Sequence, residues 1–263
     1  MTIKGVLSFL LRFAVLLYIA ITLLAYFNAE KLVFHPHKLA YEDLFPKVHL
    51  KARDGASIFA FDLKNPTAKY TILYSHGNAE DLNSVLPVMM ALYKIGFSVL
   101  AYDYHGYGES TGQPSEANAY ADEEIAYEYL RKEKHIPSSR IVAYGRSLGS
   151  ALAADLASKH QLGGLILESP FLSIYRVLIP SPVLLFDRFT TYTKLNLIHC
   201  PLLVLHGRED EVVPFWHGQT IYAEANSPKM KYWVEGAHHN DLSKVAGKHY
   251  AKVINTFRKS LPH

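Results

Sequence analysis

The hydrophobic positions of this chain fall into two regimes. From Val6 to Phe27 nearly every residue is apolar, Arg12 is the only charge, and Phe13 to Phe27 carries none. As a helix, that length suffices to cross ~30 Å of hydrocarbon, and Arg12 lies close enough to the start to snorkel to the headgroups. A cleaved signal peptide or a buried core helix gives a similar signal. A signal peptide, however, usually has a shorter apolar region and small residues at its exit; Tyr26-Phe27-Asn28-Ala29 is a poor exit. Residues 1–29 are therefore expected to form a single uncleaved membrane anchor. Lys4 and Arg12 before the span nearly balance Lys31, Lys38 and Lys47 after it. This tips only slightly toward an amino terminus in the cytoplasm.

Downstream, short apolar runs alternate with segments of helical spacing. Glu30 to Pro46 reads as a connection, and Val48–Ala52 and Ser57–Leu63 as a hairpin about Asp54-Gly55. Further strands are expected at Tyr70–Ser75, Ser98–Tyr102, Ile141–Tyr144, Gly164–Glu168, Leu202–His206 and Lys231–Val234. Between them lie predicted helices at Asp81–Ile95, Ala117–Lys132, from Ser150 onward and Phe215–Ala225, with a closing helix over Leu242–Ser260. Apolar strands separated by helices imply an α/β fold whose mostly parallel sheet is covered on both faces. Residues 30–263 are read as one catalytic domain. Within it, the apolar segment 171–196, including Val177-Leu178-Ile179-Pro180 and Pro182–Phe186, is expected to form a small lid.

Composition removes several function classes. The 263 residues are 49% hydrophobic and 19% charged, with a formal charge of +3 and no basic run, so nucleic acid is not an expected partner. Cys200 stands alone, which excludes an intrachain disulfide and a cysteine-based metal cluster. None of the fourteen histidines sits in a His-Glu-x-x-His or comparable pattern, so no metal is expected.

The candidate chemistry begins at Gly145-Arg146-Ser147-Leu148-Gly149, between a strand and a helix start. A serine pinched between glycines at such a turn is a nucleophile elbow. Average residue usage gives Gly-x-Ser-x-Gly by chance in roughly one chain in ten of this length, so its companions decide. Functional groups in parallel sheets gather beyond the carboxyl ends of the strands. There stand Asp210, in His206–Pro214, and His238-His239, in Gly236–Asp241. The order serine, acid, histidine suits this architecture. A histidine would take the Ser147 proton, and Asp210 would fix its tautomer. Glu168 is a second candidate acid, and residue chemistry alone leaves His238 and His239 both open as the base. Backbone amides of Leu148 and of Asn78, in Ser75–Asp81, are the expected oxyanion donors. Three glycines in Ala101–Gly112 point to a tight structural loop at the site's rim.

Together, His76-Gly77-Asn78-Ala79, Asp103–Gly112, Gly145–Gly149, Glu168-Ser169-Pro170-Phe171, His206–Pro214 and Gly236–Asp241 resemble the Bem46 type of α/β-hydrolase. The chain is similar also to the domain-containing-13 and -17 members of that superfamily. In that family the catalytic histidine directly precedes an Asn-Asp pair, which selects His239. The chain departs from the pattern at His105, where relatives usually have arginine, and at His238, where glycine is common. The resemblance implies a cofactor-free serine hydrolase with an amino-terminal anchor. Together with the apolar lid, it suggests an ester or thioester with an acyl chain as substrate. Two rivals are a serine peptidase on the same fold and a catalytically silent binding protein. The first usually carries a substrate-filtering domain, and the second usually lacks a triad member.

Overall fold

The computed structural model describes residues 3–37, 41, 46–179, 186–226 and 228–262. One eight-stranded sheet runs through the domain in the order β1-β2-β4-β3-β5-β6-β7-β8. The hairpin of β1 (Lys47–Lys51) and β2 (Ser57–Leu63) turns at Asp54-Gly55, where Gly55 takes φ +91°. β2 pairs antiparallel with β4 (Ser98–Tyr102); every later pairing is parallel. The central strands β3 (Thr71–Ser75), β5 (Ile141–Arg146), β6 (Gly164–Glu168) and β7 (Leu202–Gly207) are buried throughout. That is why they appear in the sequence as continuous apolar runs. β8 (Lys229–Val234) closes the edge with a half-buried pattern.

Helices cover both faces. Leu82, Val85, Met89 and Leu92 of α2 (Leu82–Ile95) join one apolar layer with Ile254 and Phe257 of α8 (Lys248–Ser260). The opposite layer holds the alanine-rich faces of α3 (Glu116–Glu128) and α4 (Leu148–Lys159), with Ile221 of α6 (Trp216–Glu224). Asp81 caps α2, accepting the Ser84 amide at 2.8 Å.

Three elements differ from the sequence pattern. Gly247, at φ +53°, splits the expected closing helix into α7 (Leu242–Ala246) and α8. α3 ends in a π-helical turn over Tyr129–Glu133, which carries it past Lys132. The amino-terminal helix α1 (Ile3–Val33) outlasts its apolar run, and Val33 and Phe34 are buried against the domain. Within the expected lid, a five-residue helix, α5 (Ile174–Leu178), is present; Pro180 and Pro182–Leu185 lie outside the described residues.

Tight packing shapes the β5–α4 turn. Ser147 has φ +51°, a conformation that an L-residue adopts only at a cost. A Cβ on Gly145 would lie 2.6 Å from Ser150 Cα, and one on Gly149 would collide with the Ser75 carbonyl. Gly149→Ala should therefore lower the unfolding free energy by at least the ~1–3 kcal/mol of ordinary overpacking, because backbone cannot step aside as a side chain can. A thermal or urea melt beside the parent protein checks this.

His217 of α6 is fully buried, and its Nδ1 accepts the Leu172 amide at 3.2 Å. Burial, with nearby His206 adding to it, pushes the imidazole down to about 4. The unfolded chain takes up this proton near 6.5, the folded chain only near 4. Stability should thus fall between those values as pH drops, by on the order of 3 kcal/mol. The pH dependence of unfolding should flatten in this window for His217→Gln.

Candidate active site

The structure gathers three of the sequence-derived residues into one hydrogen-bonded row. Ser147 sits on the β5–α4 turn with its amide donating to Glu168 O at 2.9 Å. Its Oγ lies 3.0 Å from His239 Nε2. His239 Nδ1 lies 2.8 Å from Asp210 Oδ2 and 3.0 Å from Oδ1. Asp210 follows β7, and its Oδ1 accepts the amides of Val212 and Val213 at 3.0 and 2.7 Å. Burial alone would raise this carboxyl, but hydrogen bonds from His206 and His239 outweigh it and hold Asp210 well below the usual carboxylate range.

The adjacent histidines part ways. His239 is buried in the row, while exposed His238 turns to Glu211 Oε2 at 3.0 Å and gives its amide to Asp241 at 2.7 Å. Glu168, the other candidate acid, is engaged elsewhere: it accepts from Tyr144 and from Tyr250 and lies 3.4 Å from Arg146 Nε.

Leu148 opens α4, so its N–H has no intrahelical acceptor and the helix dipole favours negative charge there. Asn78, after β3, likewise makes no hydrogen bond through its amide among the described residues. Its side chain is held fast: Oδ1 accepts from Tyr107 Oη at 2.9 Å and from the His35 amide at 3.1 Å, and Nδ2 lies 2.9 Å from His35 Nδ1.

Ser147, Leu148 and Asn78 border a pocket with about 790 Å³ of atom-free space, part of it open to solvent. Phe171, Ile174, Val177, Leu178 and Val213 make its walls apolar. Leu32 and Val33, from the end of α1, complete them. Among the described residues no group of His, Cys, Asp or Glu has the arrangement to hold a metal.

Several residues at this site escape sequence reasoning. Arg146 donates to Glu80, to His239 O at 3.0 Å and to Asn240 Oδ1 at 3.0 Å. His206 donates through Nε2 to Val213 O at 2.9 Å, with the same nitrogen 3.3 Å from Asp210 Oδ2. His35 and Val33 sit beyond the apolar run with no motif to mark them. The only available signal was position, Arg146 inside the elbow and His206 at a strand end. The Ala101–Gly112 loop is structural: buried Asp103 accepts from Tyr41 Oη at 2.6 Å and from the Leu82 amide at 3.2 Å. There His105 stands 2.6 Å from Asp122 and 3.2 Å from Asp54.

A family described as serine aminopeptidase, S33, matches residues 66–193. The α/β-hydrolase domain-containing protein aho-3 of Caenorhabditis elegans is 42% identical over 195 residues, 73% of this chain and 58% of that one. The mouse α/β-hydrolase domain-containing protein 17C is 37% identical over 215 residues, covering 81% and 66%. The chain thus spans about three fifths to two thirds of the length of such relatives. An esterase of Pyrococcus furiosus superposes with a TM-score of 0.73 at 19% identity, covering 86% of this chain and 99% of that one. An α/β-hydrolase of Vibrio vulnificus gives 0.66 at 22% identity, covering 79% of each. With its sheet order, its Gly145–Gly149 turn and these relatives in agreement, the chain belongs to the α/β-hydrolase superfamily.

Proposed function

We propose that this chain is a membrane-anchored serine hydrolase cleaving carboxylic ester or thioester bonds of acyl, lipid-like substrates. The observation that carries the reading is the continuous row from Ser147 Oγ through His239 to ionised Asp210, opening on an apolar pocket. His239 Nε2 takes the Ser147 proton as Oγ attacks the carbonyl, and Asp210 stabilises the imidazolium. The amides of Leu148 and Asn78 receive the oxyanion. The same imidazolium protonates the departing alcohol or thiol, and water activated by His239 then releases the acyl group. Neither metal nor organic cofactor enters these steps. α1 supports the anchoring: its stretch Ile3–Asn28 is long and apolar enough to cross a bilayer and is not buried.

The family description also raises peptide hydrolysis. An aminopeptidase needs a carboxylate near the nucleophile to seat the substrate's ammonium group, and the pocket beside Ser147 is lined by none among the described residues. The apolar walls favour an acyl chain.

A fluorophosphonate probe should label the full chain and fail to label Ser147→Ala; an unlabelled, folded parent protein would overturn the proposal. Asp210→Asn should keep the fold and lower kcat roughly 10³–10⁴-fold through the wrong histidine tautomer, measured with a short-chain ester. His35→Ala removes the imidazole from Asn78 Nδ2 while Tyr107 Oη and the residue-35 amide stay on Oδ1. It should lower kcat about threefold with little change in KM, a small part of the roughly 10²–10³-fold attached to a full oxyanion donor.

A further inference from the structure

The helix that can cross a membrane does not stop at the domain's edge; it forms part of the pocket. Asn28 ends the apolar stretch, and Leu32 and Val33 stand one turn later, about 6 Å along the axis. Both line the pocket that holds Ser147. The contact is extensive. Tyr175 Oη donates to Ala25 O at 3.1 Å, inside the apolar stretch itself. The Tyr26 ring meets Phe186 edge-on at 5.2 Å and lies beneath the Arg188 guanidinium. Phe34 is wedged between Tyr107 and Phe189.

The rim of the pocket is equally telling. Leu32 and Leu178 are 66% and 80% exposed, and Val212 and Ile179 are also open. Leu32, Leu178 and Val212 border the pocket, and Ile179 directly follows on α5's end. Exposed aliphatic side chains around a site, continuous with a bilayer-length helix, are stable where water is excluded. From the elements around it, a chain lying between Leu32–Val33 of α1 and Ile174–Leu178 of α5 would reach Ser147 without leaving apolar surroundings.

We infer that the pocket takes its substrate sideways from the bilayer: an ester or thioester whose acyl chain is embedded in the leaflet where α1 emerges. The chain slides along α1 past Leu32 and Val33, and the carbonyl comes to rest at Ser147. This rests on the serine-hydrolase reading above and makes Val33 and Leu178 determinants of chain-length specificity.

The experiment uses the full chain reconstituted in phosphatidylcholine vesicles. It compares turnover of 4-methylumbelliferyl palmitate in the same vesicles with turnover of soluble 4-methylumbelliferyl acetate. Val33→Trp narrows the wall, and Leu178→Asp puts a charge on the exposed rim with little demand on folding. Each should lower the palmitate-to-acetate ratio about tenfold, the scale on which an apolar pocket discriminates by methylenes. Val245→Asp, an exposed aliphatic position on α7 away from the pocket, should keep the parent ratio. Unchanged ratios in Val33→Trp and Leu178→Asp overturn the inference, as does an equal fall in Val245→Asp. Acetate turnover with preserved ratios would leave the hydrolase reading standing alone. A parent protein that cleaves neither ester and takes no fluorophosphonate label would remove both.

Discussion

The Arg146 guanidinium is the constraint on which the site's geometry depends. It is buried at the carboxyl end of β5, one residue before Ser147, and it binds the loops that follow β3 and β8 and the last residue of β6. Burial alone would push a guanidinium toward neutrality, but Glu80 and Glu168 reverse that and hold it firmly charged. Glu80 in turn takes the Gly77 amide at 2.6 Å, next to Asn78. One cation therefore fixes the Ser147 turn, the Asn78 loop and the His239 loop relative to each other. The desolvation cost of such a buried cluster offsets much of its Coulombic gain, while loss of one partner leaves an uncompensated charge at about 3–5 kcal/mol. Its contribution is best understood as geometry: three loops that could each adopt other arrangements are held to one.

A second, apolar constraint acts from below. Ser147 holds a positive φ in a turn where Gly145 lets β5 meet the start of α4, and Gly149 lets α4 meet the Ser75 strand end, at backbone contact. Around this turn several buried polar groups are paired in chains. Buried Ser75 donates to Glu123 at 2.9 Å, and burial raises the Glu123 carboxyl, favouring its neutral form. The Tyr144 and Tyr250 hydroxyls converge on Glu168. The strain at Ser147 persists because its surroundings admit no relaxed alternative.

What the sequence disclosed follows from which forces are local. Strands such as Leu202–Gly207 are buried on both faces, so their apolar runs stand out, and the segments after β5 and β7 carry Ser147 and Asp210, while His239 follows the half-buried edge strand β8. Strand ends and helix starts were legible to within a residue or two because caps such as Asp81 and Gly96 are written beside them. The break at Gly247 was not, since a glycine within an amphipathic run signals either a helix interior or a cap. Residue types left His238 and His239 open; a resemblance favoured His239, and only the loop's course through space shows them pointing apart. The docking of Phe34 and His35 on residues 43 to 155 positions away leaves no trace in any periodicity, because both partners look like ordinary loop residues.

That docking has a consequence for scale. With Phe34 wedged and Tyr175 bonded to the helix backbone, the domain cannot swing on a tether. In the proposed setting Ser147 is then held at a set height above the hydrocarbon, and the enzyme becomes a depth gauge. It would choose among otherwise equivalent bonds by how far each stands from the membrane surface, a selection that no contact with the leaving group is needed to enforce.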